Sequence, residues 1–409
     1  MSQPLIVLHV VGRMDIGGAE SRIMDLYRNI DREKVQFVFC QHTTDRCAFE
    51  DEVERLGGRV YHVPRFNVKN YFTYKKAWEK LFAKHPEIQV VQGHMTSTAS
   101  IYLPIAKKAG VRTTIAHARS AGVDPGIKGK ITNFLRKNLY KKCDYRFTCS
   151  KLAAEAVFGN QEENNRKARF IPNAINVEQF AFDKETRDKV RKELGVSDSF
   201  VIGHVGRFAP MKNHKYMLQI LQQCVKLEQE NMLPPVKLLF LGDGSLKEEI
   251  QSQAKELGLE SRVLMPGNKK DVYRYYQAMD YFLLPSFYEG LPGTAIEAQA
   301  SGLPGIMSDT VTEEAVVTDL LQMRSIEEEP KRWAEEIVTT LLQERKGTKD
   351  SKVPIEDEEI SSEEQSIHML DFRCEKRQIY AGMVKRASFD VKEQAKRMQG
   401  FYLTGEFVD

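Results

Sequence analysis

"LIVLHVVGRMDIGGAESRIMDLYRNI", residues 5–30, is the stretch that decides the fold. Residues 5–11 are apolar at six of seven positions and stop at Gly12, which predicts a buried strand. Gly17 and Gly18 follow in a turn. Ile23, Leu26, Tyr27 and Ile30 then recur at helical spacing. A strand, a glycine turn and an amphipathic helix make the first half of a parallel βαβ unit, and the question is whether the unit repeats.

It does, twice over. In the first half of the chain VQFVFCQ (35–41), RVYHVP (59–64), IQVVQGH (88–94), RTTIAHA (112–118) and YRFTCS (145–150) read as further strands, with a helix expected over Ala48–Leu56. RFIPNAINVEQFAFD (169–183) breaks the rhythm with Pro, Asn and aromatics and reads as a linker. A second series begins at FVIGHVG (200–206) and continues through VKLLFLGDG (236–244), RVLMPG (262–267), YFLLPS (281–286) and LPGIMSD (303–309), with a helix over 213–230. Strands alternating with helices argue for parallel α/β sheets. The expectation is two Rossmann-like domains facing a central cleft, over 1–175 and 176–385, and a C-terminal helical segment, 386–409, that packs back on the first domain. Residues 344–366, "ERKGTKDSKVPIEDEEISSEEQS", are acidic and poor in apolar groups and read as an exposed insertion.

Size and composition agree. A chain of 409 residues exceeds one ordinary core. No apolar run approaches a membrane span, and the N-terminus has no basic region ahead of an apolar one, so no secretory signal is read there. The six cysteines are scattered without a C-x-x-C pair, which argues against a zinc cluster or a disulfide frame. A cytoplasmic location follows as the expectation. The net charge of +3 conceals an asymmetry: residues 1–180 hold 29 Lys/Arg against 18 Asp/Glu, a balance of +11, and the remainder hold 31 against 39, a balance of −8. The basic half suggests an anionic partner.

Three sites carry chemistry. Gly17 and Gly18, just ahead of a helix, let backbone amides approach an anion such as phosphate, although the dinucleotide fingerprint G-x-G-x-x-G is absent. Arg207 and Lys212 follow a strand end in "HVGRFAPMKNH" (204–214), a pairing of fork and point charge that suits a diphosphate. "SFYEGLPGTAIEAQASGLP" (286–304) places Glu289 and Glu297 eight positions apart around a Gly-Pro turn, with a helix expected from about Thr294. The two carboxylates could be acid and base, metal ligands or sugar-binding groups; alternatively TAIE (294–297) is a capping box that occupies Glu297. No D-x-D triplet occurs and neither glutamate has a His or Asp at ligand spacing, which disfavours a metal. His94 and His117 lie near strand ends, where a lone histidine is more often structural.

In order along the chain, G-G-A-E (17–20), H-A-R-S (117–120), I-P-N-A-I-N-x-x-x-F (171–180), G-R-x-x-x-x-K-N (206–213) and E-G-L-P-x-x-x-x-E-A-x-A-x-G-x-P (289–304) resemble glycosyltransferase family 4. The resemblance runs from about Val7 to Val317, and its nearest members in appearance are bacterial transferases of capsular and exopolysaccharide synthesis. It implies the GT-B fold and retaining transfer from a nucleotide sugar, a UDP-sugar favoured, to a glycan or lipid-linked acceptor, without a metal. It further implies that Gly17 and Gly18 face the donor diphosphate and sugar, that Arg207 and Lys212 neutralise the leaving diphosphate, and that Glu289 binds sugar hydroxyls. Glu297 would hold the ribose, while Gly290, Leu291 and Pro292 line sugar and phosphate, Gly267 and Asn268 flank the base, and His117 stands close to the sugar, with His94 a weaker match. Ala174 and Asn176 depart from the Gly and Asp that many members have there.

GIKGKITNFLRKNLYKK (126–142) holds six cations and no acid, with Ile127, Ile131, Phe134 and Leu135 in one stripe and Leu139 nearby. It suits either the anionic inner face of a membrane or packing on its own sheet. No nucleic-acid module signature occurs. Two other functions stay open at this stage: a nucleotide-sugar epimerase of the UDP-N-acetylglucosamine 2-epimerase kind on the same fold, and a non-catalytic subunit that binds a nucleotide or a partner enzyme.

Overall fold

The structure is a computed structural model that describes residues 3–120, 122, 126–159, 168–350 and 377–407. It divides into two compact units. The first comprises the chain up to Asn176, Glu289–Leu291 and the residues from Ser388 on; the second comprises Val177–Tyr288 and Pro292–Ala387.

The first unit is built on a seven-stranded parallel sheet. Its strands are β1 (Leu5–Val11), β2 (Val35–Gln41), β3 (Val60–His62), β4 (Ile88–Gly93), β5 (Thr113–Ala118), β6 (Tyr145–Thr148) and β7 (Ala168–Phe170), in the order β3-β2-β1-β4-β5-β6-β7. Strand order reverses between β1 and β4, the Rossmann switch point. β1 and β2 coincide with the expected runs because both faces of the central strands are covered, which makes them apolar almost throughout.

The helices of this unit are α1 (Gly18–Asn29), α2 (Glu50–Arg55), α3 (Tyr71–Lys84), α4 (Thr96–Lys108), α5 (Ile127–Arg136) and α6 (Lys151–Phe158). α3 packs on α4 and α4 on α5. The chain's last helix, Val391–Thr404, also belongs to this unit and packs on α1, β1 and β2. Met398, Phe401 and Tyr402 from it are buried in the same core as Val7, Phe37 and Phe147. A parallel bridge pins its start, with Ile175 N bonded to Phe389 O (2.9 Å) and Val391 N to Ile175 O (2.8 Å). Burial of this kind makes a phenylalanine-to-alanine change at Phe401 cost about 3–5 kcal/mol.

The expected linker over 169–183 is corrected in part. Its first residues continue β7, an edge strand registered on β6 through Phe147↔Arg169 and Thr148↔Phe170. A three-residue edge strand is paired on one side only, so it tolerates an arginine and shows no apolar run.

The second unit repeats the plan with six parallel strands: β8 (Phe200–Val205), β9 (Val236–Leu241), β10 (Val263–Gly267), β11 (Tyr281–Leu284), β12 (Gly305–Ser308) and β13 (Leu321–Arg324), ordered β10-β9-β8-β11-β12-β13. Its switch point lies between β8 and β11. Among its helices are α7 (Val177–Phe180), α8 (Lys184–Leu194), α9 (His214–Asn231), α10 (Lys247–Glu256), α11 (Val272–Ala278) and α12 (Gly293–Ala300). The core gathers Ile202, Leu238, Phe240 and Leu283 from the sheet with Met217, Leu221 and Trp333 from the helices.

A buried charge cluster fastens α8 to this sheet. Asp280, just before β11, accepts from Arg187 Nη2 (2.6 Å), Arg191 Nη1 (3.0 Å) and the amide of Val201 (2.8 Å). Further guanidinium N–H groups donate to the carbonyls of Gln277, Met279, Ala278, Ser197 and Ser199, so both buried arginines are paired on several sides. The acidic stretch 344–366 lies, from residue 351 on, outside the described residues.

Candidate functional site

The second unit brings several of the residues singled out in the sequence to the β8/β11 switch point, the position where open α/β sheets commonly bind ligands beyond their carboxyl ends. β8 stops at Val205, and Gly206, Arg207 and the turn Pro210–Lys212 follow. Arg207 is exposed and Lys212 half-buried. The Lys212 stem runs so close to Gly206 that a Cβ there would stand 3.1 Å from Lys212 Cε. β11 lies beside β8 through Tyr281↔Ile202 and Phe282↔Gly203, and its loop is tied to the lysine's turn by Phe287 N donating to Met211 O at 2.8 Å. The strand pairing and this one bond therefore bring the Arg207/Lys212 loop beside the β11 loop.

α12 begins at Gly293, one residue before the expected start, with Pro292 as its N-cap. The capping-box reading of Thr294 and Glu297 is overturned. Among the described residues no side chain caps this helix, and Thr294 Oγ1 is buried with no hydrogen-bond partner. The reason is the start itself: a proline with extended backbone opens the helix, which moves Thr294 inside the first turn. Glu297 is buried and accepts from the phenol of Tyr276 on α11, Oη to Oε2 2.8 Å. An acidic side chain buried on the first turns of a helix at a switch point is costly unless it is paired, and Tyr276 supplies one bond. Gly267 ends β10 at φ +79°, its carbonyl accepting from Gly242 N (3.3 Å), and Asn268 beyond it is exposed at the same end of the sheet.

In the first unit, Gly17 caps α1 with extended backbone, and Gly18 is exposed with no atom of the described residues packed within 4 Å of where a Cβ would sit. Packing therefore does not demand glycine at 18, while a ligand approaching the helix end would. Gly290 is a different case: a Cβ there would come within 2.5 Å of Arg119 O. Leu291 is buried, and its carbonyl accepts from Asn173 Nδ2 (2.8 Å), whose Oδ1 accepts from Arg119 Nη1 (2.8 Å). Glu289 is half-buried.

His117, near the end of β5, is buried, with Nδ1 2.8 Å from Gln92 Nε2 and Nε2 without a partner among the described residues. Burial, with Arg119 and His9 nearby, holds its pKa well below the usual histidine value, so it is neutral. His94 lies between two neighbours. Arg119 Nε donates to His94 Nδ1 (2.9 Å), and because arginine only donates, His94 carries its proton on Nε2 and passes it toward His9 Nδ1 (3.0 Å). Burial, then Arg119, depresses His9 to about 3. Arg119 itself is lowered to about 10 by burial and stays charged at neutral pH.

Sequence reasoning named His117 and Glu297 but not Arg119, Asn173 or Tyr276. Arg119 and Asn173 sit inside quoted motifs, H-A-R-S and I-P-N-A-I-N, so their signal was present. Tyr276 lies in no motif. Among the described residues, no group of three or more His, Cys, Asp or Glu could hold a metal ion.

Two Rossmann-like sheets, each with a switch point at its carboxyl edge, define a doubly wound two-domain architecture. The comparisons with known proteins fix the class. The model described as Glycosyltransferase Family 4 matches residues 16–179 and that described as Glycosyl transferases group 1 matches 186–353. The chain is 32% identical over 336 residues to EpsF of Bacillus subtilis (strain 168), described as a glycosyltransferase, covering 81% of this chain and 86% of that one. It is 27% identical to the capsular polysaccharide biosynthesis glycosyltransferase CapH of Staphylococcus aureus, covering 81% and 89%. A UDP-Gal:α-D-GlcNAc-diphosphoundecaprenol α-1,3-galactosyltransferase of Escherichia coli is 29% identical over 55% of this chain and 59% of its own length. The crystal structure of Anabaena Alr3699/HepE in complex with UDP-glucose superposes with a TM-score of 0.73 at 18% identity, covering 98% of this chain and all of that one. The chain belongs to glycosyltransferase family 4, and its fold is that of the GT-B glycosyltransferases.

Proposed function

We propose that this glycosyltransferase moves a sugar from a UDP-sugar to a lipid-linked or glycan acceptor in bacterial surface polysaccharide synthesis, with retention and without a metal ion. The observation that carries the reading is the β8/β11 switch point, where Arg207, Lys212 and the N-terminus of α12 come from adjacent strands. Cleaving a sugar–phosphate bond leaves negative charge on the diphosphate. Two cations and a helix N-terminus beside one another stabilise that charge in place of a metal. Glu297, oriented by Tyr276, holds ribose hydroxyls, and Gly267 and Asn268 flank the base. Gly17 and Gly18 admit the donor's phosphates and sugar, Glu289 binds sugar hydroxyls, Gly290, Leu291 and Pro292 line them, and His117 donates to the sugar. The UDP donor is supported by the UDP-glucose bound to HepE and by the name of the E. coli relative, which also supports a lipid-linked acceptor.

The acceptor side is supported by segment 126–142. α5 packs through the buried Gly129, while Ile127 and Phe134, seven positions apart, are 78% and 76% exposed. Lys128, Lys130, Lys137, Lys141 and Lys142 are exposed beside them, and Arg136 instead donates to Thr96 Oγ1 (3.0 Å). Leu139 is buried, so only part of the expected stripe faces out. An exposed apolar pair ringed by lysines suits an anionic bilayer surface, and the work is assigned to the cytoplasmic face of the membrane. Among the described residues no helix is long and apolar enough to cross a membrane.

The test is a screen of nucleotide sugars by thermal shift, followed by transfer to undecaprenyl-diphosphate-linked sugars with EDTA present. Anomeric configuration of the product is read by NMR. A UDP-sugar stabilising the protein and an axial-to-axial transfer in EDTA are expected. Conversion of the donor to a new nucleotide sugar without acceptor would establish an epimerase instead, and no nucleotide binding at all would leave a non-catalytic subunit.

A further inference from the structure

The C-terminal helix reaches His117 through two hydrogen bonds. Tyr402 Oη lies 2.5 Å from Gln92 Oε1, and Gln92 Nε2 lies 2.8 Å from His117 Nδ1. All three side chains are buried. We propose that Tyr402 and Gln92 are positioning residues that fix the tautomer of His117, so that its Nε2–H is the donor offered to the sugar being transferred. The second half of that statement rests on the reading that His117 faces the sugar.

Proton counting carries the first half. A phenol has one proton to give, and burial raises the Tyr402 pKa so that the proton stays on. Gln92 Oε1 is its acceptor among the described residues. Turning the amide over would set NH₂ against the phenol oxygen and strand the phenol's proton in the core, at the cost of a buried unsatisfied donor. With Oε1 on Tyr402, the NH₂ group must face His117, and Nδ1 must accept. A neutral imidazole that accepts at Nδ1 carries its proton on Nε2. His117 is neutral for the reasons given above. Its Nε2–H is then a buried donor without a partner among the described residues, an arrangement that a ligand hydroxyl would satisfy.

The relay also accounts for a buried polar residue near the carboxyl end of β4. Gln92 is 1% exposed between Val91 and Gly93, where a parallel strand covered on both faces favours an apolar side chain. Tyr402 and Gln92 are 310 positions apart. The core therefore joins β4 to the last helix by one specific bond in addition to apolar packing. Tyr402 is held in register by Arg112, whose Nη2 donates to its carbonyl at 2.5 Å, and by edge-on contact with Phe37 at 5.8 Å.

The experiment uses the full chain labelled with ¹⁵N-histidine at pH 7.5, with two-bond ¹H–¹⁵N correlation and His117→Gln to assign the signal. The wild type is expected to show His117 protonated at Nε2 alone. Tyr402→Phe and Gln92→Met remove one bond or both with little change of volume. Each is expected to release the ring into a mixture of tautomers and to lower kcat about fivefold, the worth of one ordinary hydrogen bond, with the donor KM less affected. Thermal melts accompany each variant, and Gln92→Met serves if Tyr402→Phe unfolds. A wild-type ring protonated at Nδ1, or variants that keep the Nε2–H form alone, would overturn the proposal. If His117→Ala transfers sugar at the wild-type rate, the sugar-facing reading fails, and the spectrum alone decides the tautomer assignment.

Discussion

The Tyr276 phenol donates to Glu297 Oε2 at 2.8 Å, across from α11 to the second turn of α12. That bond explains how a buried carboxylate is kept in one orientation without serving as a helix cap. It gives the first prediction. Tyr276→Phe should raise the KM for the nucleotide sugar roughly five- to tenfold, the equivalent of about 1 kcal/mol, with kcat nearly unchanged. Glu297→Ala should raise it further. Steady-state kinetics at saturating acceptor separate the two constants, and an unchanged donor KM in both variants would reduce Glu297 to a packing role.

Arg207 and Lys212 give a prediction of the opposite kinetic kind. Neither side chain is in the core, so Arg207→Ala and Lys212→Ala should leave the circular dichroism and melting temperature close to wild type. In the function proposed above, their task is to offset the charge that develops as the diphosphate departs. Each change should therefore lower kcat about 10²–10³-fold, by analogy with the loss of one preorganised donor. Equal falls in kcat and kcat/KM would mark an interaction made in the transition state. A rise in KM alone would assign the pair to ground-state binding.

Ile127 and Phe134 are expected to matter only where lipid is present. The double change Ile127→Ser and Phe134→Ser should weaken sedimentation with vesicles of phosphatidylglycerol and phosphatidylcholine by at least tenfold, since two exposed apolar side chains each contribute about 1.5 kcal/mol or more on burial. Transfer to a water-soluble acceptor analogue should be unchanged. Raising salt should release the wild type, because the five exposed lysines act through screened attraction. Binding equal to wild type in the double variant would assign this face to something other than a bilayer.

Legibility from sequence followed burial. β1, β2 and the centre of β4 could be read because strands covered on both faces carry nearly continuous apolar runs. β7 and β13 could not: ARF and LQMR are short, lie at sheet edges and keep charged residues. The motif residues Arg207, Lys212 and Glu297 were visible by spacing. What bonds to Glu297, and to Gln92 beside His117, was not, because Tyr276 reaches Glu297 across 21 positions and Tyr402 reaches Gln92 across 310, and pattern along the chain carries no record of such pairings. The Arg187–Asp280–Arg191 cluster is a further example, three charges 3% exposed whose pairing no local spacing signals. The capping-box expectation failed for a local reason, since Pro292 opens the helix ahead of Thr294.

The buried histidines set the pH dependence of stability. His9 is lowered to about 3 and His214 to about 4, in both cases by burial first, and His94, His117 and His204 are also depressed. In the unfolded chain each titrates near 6.5. Between that value and the folded one, the unfolded state binds protons that the folded state refuses, so stability is complete above about pH 6.5 and falls as pH drops. Each such histidine contributes a slope of about 1.4 kcal/mol per pH unit well below 6.5. For His214 the loss levels off only on passing its folded value of about 4. Neither of its ring nitrogens has a partner among the described residues, and it stacks on Phe208 at 4.3 Å. His214→Phe keeps the stack and removes the titration. Urea midpoints from pH 7.5 to 5 should therefore fall less steeply in His214→Phe than in the wild type, by one histidine's share. Parallel curves for the two proteins would show that His214 is protonated as readily in the folded state as in the unfolded one.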